Sequence, residues 1–236
     1  MFQFYAYQVD GQTAHFDEVE MRHCINVLRN RPGDQIQFTD GLGHQYTGTI
    51  QSATKKGFLA NVVSKVATTK HPPVHIHIGI APTKNIDRYE WFLEKATELG
   101  ISEITPLICA NSERKNLRPE RLGKVLLSAM KQSFSCYLPK LNAVASVPDF
   151  LSNADNLPGA DRFIAHCRSE DIPHLLRNSS LGNDVVLMIG PEGDFSVEEI
   201  NKAEENGFLS VSLGRSRLRT ETAGLAAVHI INLKNS

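Results

Sequence analysis

Residues 185–200 read VVLMIGPEGDFSVEEI, and this stretch decides the fold class. VVLMIG at 185–190 is an unbroken apolar run, the pattern of a central parallel strand covered on both faces. The run stops at Gly190-Pro191. Ser196 and Glu199 then form an S-x-x-E capping box, which starts a helix over 196–206. A buried strand, a short loop and a capped helix make one step of a strand–helix alternation.

The same alternation extends in both directions from this stretch. Strands are expected near 74–80, 103–109, 161–167, 184–189 and 208–213, and helices over 87–99, 119–133, 170–177, 196–206 and 220–233. In the helix over 87–99, Tyr89, Phe92, Leu93, Ala96 and Leu99 fall mostly on one stripe. About 160 residues of this grammar predict an α/β domain over 74–236 with a mostly parallel sheet.

The first seventy residues read differently. Phe2 to Val9 is a short aromatic-rich strand, and Glu18 to Arg29 has helical spacing. Alternating runs follow at 35–40, 46–52 and 58–66, separated by turn signals at PGD 32–34, GLG 41–43 and KKG 55–57, which suggests a small meander or barrel over 1–70. ATTKHPP at 67–73 reads as a linker.

Composition sets outer bounds. The 236 residues are 41% hydrophobic and 22% charged, which describes a chain able to bury a core. No apolar run approaches the roughly 20 residues of a membrane helix. MFQFYAYQVDGQ has neither a basic region nor a continuous apolar stretch, so no signal peptide is visible and the cytoplasm is the expected compartment. Lys plus Arg number 25 against Asp plus Glu 26, so binding to nucleic acid would need a local basic face. Cys24, Cys109, Cys136 and Cys167 form no C-x-x-C pair and read as reduced thiols. His75 and His77 share a strand face, but two ligands do not make a metal site, and none is expected.

Ligands of open α/β sheets bind beyond the carboxyl ends of the strands. Two loops there stand out. Gly190-Pro191-Glu192-Gly193-Asp194-Phe195 lets backbone approach a ligand closely, though by itself it is equally a plain strand-to-helix turn. Leu213-Gly214-Arg215-Ser216-Arg217-Leu218-Arg219 places three arginines at alternate positions before the last helix, either as a solvated basic loop or as an anion site at a helix N-terminus. No complete G-x-G-x-x-G, P-loop or G-x-S-x-G motif is present.

Taken together, GPEGDFS at 190–196 and LGRSRLRTETA at 213–223 resemble the paired cofactor loops of the ribosomal RNA small subunit methyltransferase E family, 16S rRNA uridine N3-methyltransferases of the SPOUT superfamily. Lys84, KATELG at 95–100, Ile104 to Leu107, Ser112 to Arg114, His23, VLR at 27–29 and PGD at 32–34 fit the same family. The chain departs from it at Asp194, where the family commonly has glycine. It also departs at Phe134 to Cys136, which follow a Gln-Ser pair where the family often has arginine, and it lacks an N-terminal arginine.

The resemblance implies a PUA-like N-terminal barrel, a C-terminal SPOUT domain with a trefoil knot, and a homodimer. The implied reaction is S-adenosyl-L-methionine-dependent methylation of uracil N3 in 16S rRNA of the small ribosomal subunit, at uridine 1498. His166, Ile189, Gly190, Pro191, Glu192, Gly193, Leu213, Gly214, Leu218, Arg219 and Thr220 are the implied cofactor residues. Methylating N3 requires removal of its proton and stabilisation of charge on O2 and O4. Arg219 and Arg114 are candidates for that stabilisation or for gripping phosphates, and Glu221 is either the base or an acid at a helix end. Arg114, Lys115, Arg118, Arg121, Lys124, Arg215 and Arg217 are the expected basic surface. Ala223, Gly224, Ala226 and Ala227, with Val228, Ile230, Ile231 and Leu233, make the last helix apolar on more than one face, as a dimer helix would be. Two other readings stay open. One is a different knotted RNA methyltransferase, acting on a ribose 2′-OH or another base; the other is a non-catalytic ribosome-binding factor.

Overall fold

The structure is a computed structural model that describes residues 2–68, 72–153, 157–168 and 171–236. The chain divides into two compact units: Met1–His71 with Leu127–Leu138, and Pro72–Leu126 with Pro139–Ser236. Within the expected linker 67–73, residues 69–71 lie outside the described residues.

The first unit contains β1 (Gln3–Tyr5), β2 (Gln8–Asp10), β3 (Thr13–Phe16), α1 (Glu18–Met21), β4 (Gln35–Thr39), β5 (His44–Thr54) and β6 (Gly57–Ala67). Its sheet runs β1-β4-β5-β6-β3-β2. β1 and β2 are consecutive in the chain yet occupy opposite edges, which requires a sheet curled round on itself. The expected single strand from Phe2 to Val9 therefore breaks at a corner: Ala6 N donates to Thr39 O (3.0 Å) and Tyr7 N to His15 O (3.1 Å), on the two different edges. The core is aromatic, with Phe16 and Phe58 stacked at 4.1 Å. The expected helix over 18–29 is α1 widening into a π-helical stretch at Arg22–Val27, and it is over by Arg29, whose φ is 61°. Leu127–Leu138, beyond the expected 1–70 span, belongs to this unit. Lys131 pairs with the buried Glu20 carboxylate, and the Gln3 amide donates to Ser135 O at 2.6 Å.

The second unit contains β7 (Ile76–Ile80), α2 (Ile86–Glu98), β8 (Glu103–Ile108), most of α3 (Pro119–Gln132), β9 (Lys140–Leu141), β10 (Ala145–Ser146), α4 (Val147–Asn153), β11 (Asp161–Ala165), α5 (Leu175–Asn178), β12 (Val185–Ile189), α6 (Val197–Glu205), β13 (Leu209–Val211) and α7 (Thr220–Lys234). Its sheet is ordered β10-β8-β7-β12-β11-β13 with β9 beside β8. Every pairing is parallel. Central β12 is buried along its whole length, as its continuous apolar run requires. The α2 stripe of Tyr89, Phe92, Leu93 and Ala96 is fully buried, whereas Leu99, at the C-cap, is partly exposed. The helix expected over 170–177 is only the single turn α5, because Pro173 precedes it; Glu170 lies outside the described residues. Among the described residues, no helix is long and apolar enough to cross a membrane, and no group of three or more His, Cys, Asp or Glu could hold a metal ion. Cys24, Cys109 and Cys136 are buried and Cys167 is exposed.

Candidate functional site

With all strands parallel, the loops after β7, β8, β11, β12 and β13 gather at one edge of the sheet. The two loops singled out from the sequence meet there. Thr220 Oγ1, in the first turn of α7, donates to the Gly190 carbonyl at 3.0 Å, a bond buried in the core. Arg217 reaches the Glu192 carbonyl at 3.3 Å. The Ile189 carbonyl accepts from Ala81 N at 3.0 Å, which ties the end of β12 to the end of β7.

The Gly190–Phe195 loop is braced on three sides. The Glu192 carboxylate accepts from Lys84 N at 3.0 Å. Asn111 Nδ2 donates to the Gly193 and Asp194 carbonyls at 3.3 and 2.9 Å. The Asp194 carboxylate accepts from Cys167 N at 3.0 Å and Phe195 N at 2.8 Å. Asp194 has φ 65°, the left-handed region where glycine is at ease. A Cβ at Gly190 would stand 3.0 Å from the Phe195 ring, and one at Gly193 would stand 3.0 Å from Asn111 Cβ. Helix α6 opens with the expected Ser196–Glu199 capping box, and Glu199 also accepts from Ala110 N at 2.8 Å.

The other sequence candidates divide into groups. His166, at the end of β11, contacts Ser210 Oγ through Nε2 at 2.9 Å and accepts from Arg168 N through Nδ1, while burial lowers its pKa. Arg114 donates from Nε to the Thr83 carbonyl and from Nη2 to the Lys84 carbonyl (3.1 and 2.7 Å), so its guanidinium joins two loops. Arg121 pairs with Glu90 across 2.5 Å. Arg215 and Gly214 are exposed, and Leu213 and Leu218 are half-buried. Arg219 is the N-cap residue of α7 without a side-chain cap. It lines a cleft of about 370 Å³ together with Asp87, Arg88, Trp91, Glu221 and Thr222. Asp87, Arg88 and Trp91 are absent from the sequence-derived site. The available signal was Trp91 itself, an aromatic lying off the buried stripe of α2.

The RNA methyltransferase domain family matches residues 70–232 and the RNA methyltransferase PUA domain family matches residues 16–63. The chain belongs to the ribosomal RNA small subunit methyltransferase E family. The member from Mesomycoplasma hyopneumoniae is 30% identical over 171 residues, 70% of this chain and 73% of the relative. A Neisseria gonorrhoeae ribosomal RNA small subunit methyltransferase E, solved bound to S-adenosyl methionine, has a TM-score of 0.80 and 31% identity, covering 99% of this chain and 97% of that one. A probable rRNA-methyltransferase from Porphyromonas gingivalis has a TM-score of 0.90 and 36% identity, covering 100% and 98%. The matches to this family span both units of the chain.

Proposed function

We propose that this chain transfers a methyl group from S-adenosyl-L-methionine to uracil N3 in 16S rRNA of the small ribosomal subunit, at the position equivalent to uridine 1498, in the cytoplasm. The observation that carries this reading is the junction of the Gly190–Phe195 and Leu213–Arg219 loops at Thr220. The residues present fit the cofactor. Gly193 and Gly214 present bare, exposed backbone, among the described residues no atom beyond its chain neighbours lies within 4 Å of where a Gly214 Cβ would stand, and half-buried Leu213 and Leu218 offer apolar contact. When bound, S-adenosylmethionine supplies a methyl group on a positively charged sulfur. The two loops would grip its adenosyl part through backbone groups and hold the donor in line.

Glu221 is the residue in this reading that takes the N3 proton. The N3 lone pair then forms the new N–C bond as the S–C bond breaks. Arg219 stabilises the negative charge spread over O2 and O4. Arg114 acts by holding the 83–84 backbone against its own loop. The reading includes the trefoil knot: from edge strand β13 the chain returns across β11, so that Thr220 meets Gly190 and α7 packs on α2, β7 and β12.

The homodimer belongs to the same proposal. Leu99, Leu176 and Leu233 are exposed around the end of α7, joined to it by Asn232 donating to Leu99 O and Lys234 donating to Leu176 O. Ala227, on the same helix, is fully buried within the chain, so a charge there would damage the core. Leu233→Glu is the cleaner probe. It should convert a dimer into a folded monomer by light scattering, and a wild-type monomer at micromolar concentration would contradict the dimer. The reaction itself is tested by incubating the protein with small ribosomal subunits and labelled cofactor, then identifying the nucleoside by mass spectrometry. The expected product is 3-methyluridine. A ribose-methylated product, another methylated base, or no product would overturn the reading.

A further inference from the structure

The cleft between α2 and the start of α7 contains an unusual carboxylate. The Glu221 side chain is 9% exposed, and its nearest cation, Arg88 Nε, stands 4.0 Å away. Among the described residues no hydrogen bond reaches it. Its oxygens are not among the sealed, unpartnered polar atoms of the described residues, so they open onto the cleft, where a ligand can supply donors. Glu221 lines the cleft, which is about 370 Å³ and also bounded by Arg88, Trp91 and Arg219, a volume suited to a small planar ligand. Trp91 is 42% exposed although aromatic, and it is the chain's one tryptophan.

We infer that this cleft is the subsite for the uracil base turned out of the RNA, an inference that rests on the reaction proposed above. Uracil presents acceptor, donor, acceptor along its O2, N3–H, O4 edge. The cleft offers the complement: a carboxylate acceptor in Glu221 and cationic donors in Arg88 and Arg219. Cytosine presents acceptor, acceptor, donor and would set its unprotonated N3 against the carboxylate. The exposed indole of Trp91 gives the extruded ring a stacking surface. Arg88 is thereby a recognition residue, and Trp91 replaces the neighbouring bases from which the uracil has been removed.

The lone tryptophan allows a direct test. Hexauridylate should quench Trp91 emission saturably in the wild-type protein, with hexacytidylate binding at least about tenfold more weakly. Glu221→Gln should shrink this preference to a few-fold, because an amide can donate to cytosine N3 as well as accept from uracil. In polarisation assays with labelled hexauridylate, Trp91→Ala should lose about tenfold in affinity, within the range measured for removing a stacking aromatic. Trp91→Phe should recover most of it. S-adenosylmethionine affinity by calorimetry should be unchanged in all three variants, which reports that the fold is intact. Absent quenching, equal binding of the two oligonucleotides, or an unaltered preference in Glu221→Gln would overturn the subsite. If 3-methyluridine is produced without quenching, the subsite alone fails. Uracil-selective quenching supports the subsite even where another nucleoside is methylated, an outcome that overturns only the reaction.

Discussion

Thr220 Oγ1 donates to the Gly190 carbonyl across 3.0 Å and so joins the start of α7 to the end of β12. This buried bond closes the gap between two loops that the sequence separates by some twenty residues. Replacing Thr220 with Val keeps the shape but leaves the Gly190 carbonyl without its donor, at a cost of about 1–3 kcal/mol. Thermal unfolding should fall by several degrees, and S-adenosylmethionine affinity should weaken in calorimetry. Gly193→Val should act more strongly on the same readout, by at least tenfold, since its Cβ would sit 3.0 Å from Asn111 Cβ. Wild-type cofactor affinity in both variants would show that this junction is not the cofactor site.

Asp194 combines a left-handed backbone with a carboxylate that accepts two amides. Both Asp194→Gly and Asp194→Ala lose the carboxylate, but only the alanine must hold a side chain at φ 65°. The alanine variant should therefore be less stable than the glycine variant by about 1 kcal/mol, as measured by urea unfolding. Equal stability of the two would mean that the loop relaxes out of its left-handed turn.

His77 provides a pH signature unconnected with the loops after β12 and β13. It is buried on the sheet, with Nε2 2.8 Å from Thr105 Oγ1 and its ring edge-on to Phe150. His75, Glu103 and Lys140 are the charged or titratable groups facing it. Burial pushes its pKa down from 6.5 to about 4, outweighing the Glu103 carboxylate, which pulls the other way. The unfolded chain therefore binds this proton at a higher pH than the native state. Stability should be full above pH 6.5 and should fall between about 6.5 and 4, with a slope of at most about 1.4 kcal/mol per unit. The Glu103 carboxyl is held below its ordinary range chiefly by its hydrogen bond to His75, and it extends the loss of stability below pH 4.5. Urea midpoints measured from pH 4.5 to 8 should show this slope, and His77→Gln should reduce it above pH 5, leaving the part contributed by His166, whose pKa burial also lowers.

The basic surface is narrower than a count of Lys and Arg implies. Arg114, Arg121 and Arg217 hold groups of their own chain, whereas Lys115, Arg118, Lys124 and Arg215 have no carboxylate within 4 Å among the described residues. Lys115→Ala and Arg118→Ala should each lower the log–log salt slope of binding to the small ribosomal subunit by about 0.7–0.9. Arg121→Ala should change that slope much less. Equal effects from all three would show that the Arg121–Glu90 pair opens on binding.

Sequence alone determined the elements whose cause is local. VVLMIG had to be a central strand because no face of it tolerates water, Ser196 and Glu199 had to start a helix because they cap it, and the α2 stripe had to face a core. The same short-range patterns, together with the resemblance they support, point to the two loops. Tertiary structure alone decided whatever depends on residues distant in the chain. Helix α7 is apolar on nearly every side, so no periodicity distinguishes buried Ala227 from exposed Leu233; only its packing on α2, β7 and β12 does. Leu127–Leu138 reads as the tail of an α/β helix but belongs with the barrel, because Lys131 meets Glu20 across 111 positions. The Trp91–Arg88–Glu221 cleft was invisible for the same reason. Trp91 and Arg88 lie a single turn apart on α2, but Glu221 reaches them only when the chain returns from the far edge of a parallel sheet, a long-range closure that leaves no mark in neighbouring residues.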